Sequence, residues 1–138
     1  KDFKKKIDYI ESEELINKLS ETKLYCLDFE KFCNEVKLTE KDFMFLDPPY
    51  DTEFSTYAKN DFDKDDQIRL ANYLKNTKAK FMLIIKNTDF IYDLYKNKGF
   101  NIIVFDKKYL VSFMNRNNKK TEHLLITNYE SEVKNGTN

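Results

Sequence analysis

One short stretch, Asp47-Pro48-Pro49-Tyr50, constrains the fold of this 138-residue chain more than any other. This stretch, called the proline turn below, directly follows four apolar residues, 43–46, which predict a buried strand. The two prolines end the strand in a stiff turn that has few backbone amide donors. Because open α/β sheets bind ligands at the carboxyl ends of their strands, we expect a functional site at this turn.

The chemistry of the proline turn suits a planar ligand that carries an amino group. Neither proline has an amide hydrogen, so local turn hydrogen bonds leave some carbonyl oxygens of this strand end free to accept. Asp47 adds a carboxylate acceptor, and Tyr50 adds a flat aromatic face. An ordinary proline turn that only ends a strand is the alternative interpretation.

An Asp-Pro-Pro-Tyr string at the end of an apolar strand resembles the catalytic motif of DNA adenine methyltransferases, in particular the Dam-like D12 class. The resemblance implies transfer of a methyl group from S-adenosylmethionine to N6 of an adenine flipped out of double-stranded DNA. In that case Asp47 and Pro48 would hold the amino group and Tyr50 would stack on the base. Asp47 would also contact the cofactor, and Pro49 the substrate.

An upstream pair, Asp28-Phe29, follows a second apolar run, 24–27, that predicts a short strand. The pair resembles the Asp-Phe element of the same family, which implies contacts with the adenine of S-adenosylmethionine. An Asp that caps a helix, followed by a core Phe, is the alternative. The chain's two glycines, Gly99 and Gly136, are not placed to form a cofactor loop, so we expect an incomplete cofactor site.

Two other segments carry the expected DNA contacts. Phe54 and Tyr57 resemble the family segment after the catalytic turn and would wall the flipped base, although they equally suit rings that pin a loop to the core. A basic loop with Arg116, Lys119 and Lys120 is expected near phosphates, with plain solvated surface as the alternative. The formal net charge of zero counts against DNA binding by this chain alone.

The hydrophobic pattern predicts four helices, each with one apolar side. The side chains expected inside are Leu15, Ile16 and Leu19; Phe29, Phe32, Cys33 and Val36; Ile68, Ala71 and Leu74; and Phe90, Ile91, Leu94 and Tyr95. Ser12, either Asp63 or Asp65, and the segment 87–89 are expected to cap helices, and Gly99 to end the last helix in a left-handed conformation.

The remaining apolar runs, 81–85 and 101–105, predict buried strands parallel to the strand at 43–46. The segment 121–129 resembles the antiparallel closing strand of the family and would form a hairpin with 109–120. His123, the single histidine, is expected to be a strand residue rather than a base. The fold class is therefore α/β: a partial Rossmann-like methyltransferase sheet, mostly parallel, with a carboxy-terminal antiparallel hairpin.

The chain length suits a single domain, residues 1–138, and the resemblance spans roughly residues 24–129. The half with the glycine loop and most of the target-recognition domain has no counterpart. We therefore expect that an amino-terminal segment or a partner chain is missing. Without it, one edge of the sheet would be left open and this chain would be inactive alone. A non-catalytic remnant that binds DNA or protein is the alternative. A cytosine or glutamine methyltransferase is a weaker one, because their motifs begin with Ser or Asn.

Cys26 and Cys33 are expected to be reduced core residues of a cytoplasmic protein. Neither has a His or another Cys at the spacing of a metal site, so we expect no metal. No apolar window is long enough to suggest a membrane span.

Overall fold

The computed structural model describes residues 2–50, 62–106 and 122–130. The chain divides into two compact units, Lys1–Val36 and Lys37–Asn138. The described part of the first unit contains the helices α1 (Asp2–Ile10), α2 (Glu13–Glu21) and α3 (Phe29–Val36). The described part of the second contains β1 (Phe43–Leu46), α4 (Lys64–Asn76), β2 (Lys80–Lys86), α5 (Asp89–Tyr95), β3 (Asn101–Asp106) and β4 (Glu122–Thr127).

In the first unit, the start of α2 is as predicted but its burial is not. The Ser12 hydroxyl accepts a hydrogen bond from the Leu15 amide at 3.3 Å, which is the expected cap. No residue of α2 is buried, however, and the side chains of Ile16 and Leu19 are 54% and 57% exposed. An apolar stripe becomes buried only when another element covers it, and the helices described in this unit do not cover this one.

The strand predicted at 24–27 is wrong, because the segment between α2 and α3 has no regular structure. A strand needs a neighbouring strand for its backbone groups, and this segment has none among the described residues. Leu24 is 85% exposed, and Cys26, expected in the core, is exposed as well. The prediction for α3 is confirmed, with Cys33 buried and its apolar neighbours half-buried.

The second unit is built on a four-stranded sheet in the order β1-β2-β4-β3. β1 pairs with β2 in parallel, and β4 runs antiparallel to both β2 and β3. The predicted strand directions are therefore confirmed. The predicted hairpin partner, 109–120, lies outside the described residues.

The two edge strands are less buried than predicted. In β1, Met44 is buried, while Phe43 and Phe45 are 54% and 62% exposed. In β3, Ile103 and Val104 are 40% and 50% exposed. Successive residues of a strand point to opposite faces, so a strand is buried throughout only when both faces of the sheet are covered. Within the described residues, that condition is not met at either edge.

The core of the second unit joins β2 to α4 and α5. Phe81, Leu83 and Ile85 alternate along β2 and are fully buried. The ring of Phe100 links sheet and helix, with centroid distances of 5.2 Å to Phe81 and 6.0 Å to Tyr95 of α5. The fully or almost fully buried residues of the two helices are Gln67, Leu70, Ala71, Leu74, Ile91 and Tyr95.

Local capping signals define both of these helices. Asp63, rather than Asp65, caps α4, and its carboxylate and that of Asp66 form a reciprocal capping box. The prediction that Ile68 lies on the inner side is wrong, since it is 39% exposed. Gly99 follows α5 with a φ of 80°, the predicted left-handed conformation.

The end of β4 is attached to the start of β2 by one side chain. The Asn128 amide oxygen accepts from the Phe81 backbone amide at 3.0 Å, and its amide nitrogen donates to the Ala79 carbonyl at 2.9 Å. The Asn128 side chain thus continues the pairing of β4 with β2 beyond the last strand residue. Among the helices of the described segments, none has the length and apolar character needed to cross a membrane.

Candidate functional site

Three chain segments meet at one end of the sheet, called the site edge of the sheet because the parallel strands β1 and β2 finish there. The last residue of β1, Leu46, is paired with Leu83 in the middle of the parallel strand β2, which continues for three more residues to Lys86. Lys86 at the end of β2 is paired with His123 at the start of β4, and His123 is also paired with Phe105 of β3. The proline turn, which follows β1, therefore shares this edge with the segment after β2 and the first residues of β4.

The proline turn presents an exposed carboxylate and one carbonyl that accepts no hydrogen bond from the described residues. Asp47 is exposed, directly after the last residue of β1. The Pro49 carbonyl accepts a hydrogen bond from the Gln67 side-chain nitrogen at 2.9 Å. Within residues 2–50, 62–106 and 122–130, no hydrogen bond reaches the Pro48 carbonyl. The sequence argument about open carbonyls thus applies to Pro48 and does not apply to Pro49.

Tyr50 is positioned by a contact with His123. Their ring centroids are 5.5 Å apart and their planes are inclined by 70°, an edge-to-face arrangement. His123 is fully buried, and its ring lies 5.9 Å from that of Phe105. Tyr50 itself is half-buried. The prediction that His123 is a strand residue is confirmed, and its ring holds the aromatic side chain of the proline turn.

The segment after β2 is joined to β4 by Asn87. Its backbone amide donates to the Glu122 carbonyl at 3.0 Å, and its side chain donates to the Glu122 carboxylate at 3.1 Å. Thr88 caps α5 by accepting from the Ile91 amide at 3.2 Å, so the predicted cap in 87–89 is confirmed. An open cleft of about 440 Å³ adjoins this segment and is lined by Asn87, Asp89, Tyr92 and Asp93.

The cleft is acidic, but one of its carboxylates is paired. Asp93 forms an ion pair with Lys96 at 2.5 Å. The hydrogen bond from this carboxylate raises the pKa of Lys96. Elsewhere in the described chain, too, no group of three or more His, Cys, Asp or Glu side chains is placed to hold a metal ion.

Asp28 and Phe29, the expected cofactor residues, lie at the start of α3 in the first unit. The Asp28 carboxylate accepts hydrogen bonds from the amides of Glu30 and Lys31 at 3.0 and 3.4 Å. Asp28 thus caps the helix, as in the alternative interpretation of this pair, while Phe29 is half-buried. The contact of both residues with a cofactor stays a prediction.

Five of the predicted site residues lie outside the described residues. They are the two aromatic residues after the proline turn and the three basic residues of the segment between β3 and β4: Phe54, Tyr57, Arg116, Lys119 and Lys120. Their roles stay predictions.

Sequence reasoning missed one residue at the site, Gln67. Gln67 lies on the same side of α4 as Leu70, Ala71 and Leu74, at positions i, i+3, i+4 and i+7 of a helical stripe. A buried amide among apolar residues is costly unless it is hydrogen-bonded. A glutamine at a core position of this helical stripe was therefore the sequence signal by which Gln67 could have been identified.

Comparison with known proteins assigns the sequence to a family. The sequence model of the D12 class of N6 adenine-specific DNA methyltransferases matches residues 1–111. The chain is 37% identical over 121 residues to the type II methyltransferase M.CviBI of Paramecium bursaria Chlorella virus NC1A, covering 86% of this chain and 45% of that relative. It is also 37% identical over 121 residues to the type II methyltransferase M.MjaIII of Methanocaldococcus jannaschii, covering 80% of this chain and 40% of the relative.

A third relative, the type II methyltransferase M1.LlaDCHI of Lactococcus lactis subsp. cremoris, is 29% identical over 134 residues, which cover 87% of this chain and 46% of the relative. The chain thus spans less than half the length of these three relatives. The residues that match the family include the proline turn and the strands β1, β2 and β3. The resemblance inferred from the proline turn is therefore confirmed, and the chain belongs to the D12 class of N6 adenine-specific DNA methyltransferases.

Proposed function

We propose that this chain forms the carboxy-terminal part of the catalytic domain of a site-specific DNA methyltransferase, which transfers a methyl group from S-adenosylmethionine to N6 of adenine. One observation carries the proposal: at one strand end, the proline turn holds an exposed Asp47 carboxylate, a Pro48 carbonyl that accepts no hydrogen bond from the described residues, and a Tyr50 ring in edge-to-face contact with His123. Membership of an adenine-specific class favours adenine over cytosine or glutamine as the methyl acceptor. The fold would then be part of a Rossmann-like methyltransferase sheet.

Asp47 and Pro48 would bind the amino group of the target adenine. Both offer acceptor oxygens, one from a carboxylate and one from a carbonyl, and an amino group has two hydrogens to donate. Acceptance of both hydrogens pulls the nitrogen towards tetrahedral geometry and directs its lone pair. The Asp47 carboxylate would also stabilise the positive charge that develops on the nitrogen, and it would accept the proton that the methylated nitrogen releases.

Tyr50 would stack on the flipped adenine. An unstacked base loses its neighbours in the duplex, and an aromatic face replaces part of that contact. The edge contact with buried His123 fixes the plane of the Tyr50 ring before the base arrives. Phe54 and Tyr57 would extend this aromatic wall, and Pro49 would lie along the substrate.

The residues present fit one part of the cofactor. When bound, S-adenosylmethionine supplies an electrophilic methyl group on a sulfonium. Asp28 offers a carboxylate held by the start of α3, and Phe29 offers a half-buried ring, which suit the amino group and the flat face of an adenine. Asp28 and Phe29 in the first unit, and Asp47 in the second, are the proposed cofactor residues of this chain. The chain's two glycines are not placed to bring backbone close to a nucleotide.

A further segment or partner chain, with the glycine loop, would complete the enzyme next to β1. Three observations support this part of the proposal. The chain spans less than half of its relatives, β1 is an edge strand within the described sheet, and Phe43 and Phe45 expose apolar surface on the same face of β1. Double-stranded DNA would be the partner, with Arg116, Lys119 and Lys120 near its phosphates.

The experiment identifies the methylated nucleoside. Duplex DNA is incubated with methyl-labelled S-adenosylmethionine and either this chain alone or the chain joined to an amino-terminal segment of a relative, and the digested DNA is analysed by mass spectrometry. We expect N6-methyladenine from the joined protein and almost none from the chain alone. Methylcytosine would contradict the choice of adenine. Absence of transfer by a folded joined protein would instead support the non-catalytic module that binds DNA or protein.

A further inference from the structure

Gln67 is a polar residue in a position where the fold otherwise places apolar side chains. It is 1% exposed, and the other members of its helical stripe, Leu70, Ala71 and Leu74, are 3%, 0% and 1% exposed. An apolar residue of similar size, such as methionine, would fill this space without bringing a polar group out of water. The packing of α4 therefore does not by itself require a glutamine here.

The hydrogen bond of Gln67 reaches the proline turn. The side-chain nitrogen donates to the Pro49 carbonyl at 2.9 Å, across 18 positions of the sequence. A carbonyl only accepts hydrogen bonds, so the nitrogen of the amide, and not the oxygen, must face it.

The position of Gln67 along α4 is itself fixed. The capping box of Asp63 and Asp66 sets the first turn of the helix, and the Gln67 amide donates to the Asp63 carbonyl at 3.0 Å. The amide oxygen of Gln67 is buried and has no hydrogen-bond partner within the chain segments that the structure describes. Within these segments, the hydrogen bond of the Gln67 side chain goes to the Pro49 carbonyl, and this contact accounts for a glutamine at this position.

We propose that Gln67 is a positioning residue for methyl transfer: by holding the Pro49 carbonyl, it orients the adjacent Pro48 carbonyl and the Tyr50 ring. This inference rests on the proposed function, in which those two groups bind the target adenine. A hydrogen bond that holds the Pro49 carbonyl also restrains the backbone on either side of it, and with it the Pro48 carbonyl and the Cα atom that carries the Tyr50 ring. Because reacting groups must be placed to within a fraction of an ångström, a loosened turn slows transfer even when the substrate still binds.

The kinetic test compares Gln67→Met with Leu74→Met in the methylation-competent enzyme. Both put methionine in the same buried stripe, and only the first removes the bond to Pro49. We expect Gln67→Met to lower kcat about tenfold to 100-fold, with the KM for DNA and the melting temperature near those of the unsubstituted protein. Leu74→Met should keep kcat. A normal kcat in Gln67→Met, or a kcat that falls only as far as the folded fraction does, would overturn the inference.

A second measurement separates this inference from the proposed function, because it needs no methylation. In the isotope-labelled chain, Gln67→Met should shift the NMR signals of the Pro49 carbonyl carbon and the Tyr50 ring, and Leu74→Met should leave both in place. Unchanged signals in Gln67→Met would overturn the positioning role. Shifted signals in an assembled protein that never methylates DNA would support the role of Gln67 in the turn and would contradict the proposed function instead.

Discussion

The ring of Tyr50 meets the ring of His123 edge to face, with centroids 5.5 Å apart and planes inclined by 70°. Tyr50 belongs to the proline turn after β1, and His123 is buried near the start of β4, two strands away in the sheet. The aromatic group proposed to stack on the target base is therefore supported by the closing strand, and not only by its own loop.

Substitution of His123 should affect both stability and catalysis. His123→Ala removes a fully buried ring and should lower the free energy of unfolding by about 2 to 5 kcal/mol, in the range of large-to-small core substitutions. It should also slow methyl transfer per folded molecule, because Tyr50 loses its support. His123→Phe keeps a ring in place and should retain most of both properties. Urea denaturation and single-turnover methylation measure them, and normal turnover in folded His123→Ala would contradict the supporting role.

Asn128 gives a prediction that concerns stability alone. Its side chain makes two hydrogen bonds to the backbone at the start of β2, one as acceptor and one as donor. Asn128→Ala leaves both backbone groups without these bonds and should lower the free energy of unfolding by about 1 to 3 kcal/mol. The exposed Asn72→Ala in α4 serves as the control. A loss below about 0.5 kcal/mol for Asn128→Ala, the usual range of surface substitutions, would refute this account of the strand end.

Tyr95 makes the stability of the fold sensitive to alkaline pH. Burial raises the pKa of this phenol above its ordinary value. Above about pH 10 the unfolded chain therefore binds fewer protons at Tyr95 than the folded chain, and the free energy of unfolding should fall by about 1.4 kcal/mol per pH unit from this group. Its hydroxyl is buried and lacks a hydrogen-bond partner in the described segments, so Tyr95→Phe should cost nothing at neutral pH.

The measurement is urea denaturation of both proteins between about pH 7 and about pH 11. Tyr95→Phe should show the shallower decline above about pH 10, although other groups still titrate in both proteins. Identical declines in the two proteins would mean that Tyr95 ionises as easily in the folded state as in the unfolded one.

Features that depend on a few neighbouring residues could be predicted from the sequence. Ser12, Asp63 and Thr88 cap helices, and Gly99 takes the left-handed conformation, because each of these roles is decided within one turn of the chain. The proline turn also follows a strand end as predicted, because two prolines cannot continue a strand.

Features that depend on distant residues could not be predicted in the same way. The apolar run at 24–27 has strand-like composition but no strand to pair with in the structure described, and the burial of Phe43 and Phe45 depends on what covers their face of β1. Gln67 belongs to the same class. Its partner, the Pro49 carbonyl, is 18 positions away, and no local pattern connects the two.

The central claim is that Asp47 binds the target amino group, and Asp47→Asn tests it most directly. The substitution keeps the shape of the side chain and replaces a charged acceptor with a neutral amide. Because the interaction is made mainly in the transition state, DNA affinity and melting temperature should change little. The single-turnover rate should fall about 100-fold to 1,000-fold, equivalent to about 3 to 4 kcal/mol of transition-state stabilisation.

Asp42→Asn provides a matched control just before β1. The Asp42 carboxylate accepts hydrogen bonds from the Thr39 amide and hydroxyl at 2.7 and 2.8 Å, and these bonds lower the pKa of Asp42. Loss of the Asp42 carboxylate should therefore affect the fold near the start of β1 and leave turnover per folded molecule unchanged.

The decisive measurement is single-turnover methylation of a duplex that carries the enzyme's own target site, normalised to the amount of folded protein, for the unsubstituted enzyme and for both Asp→Asn variants. We predict that Asp42→Asn methylates at the normal rate and that Asp47→Asn is slower by at least about 100-fold. Full activity of Asp47→Asn, with any loss confined to its melting temperature, would contradict the catalytic role of the proline turn.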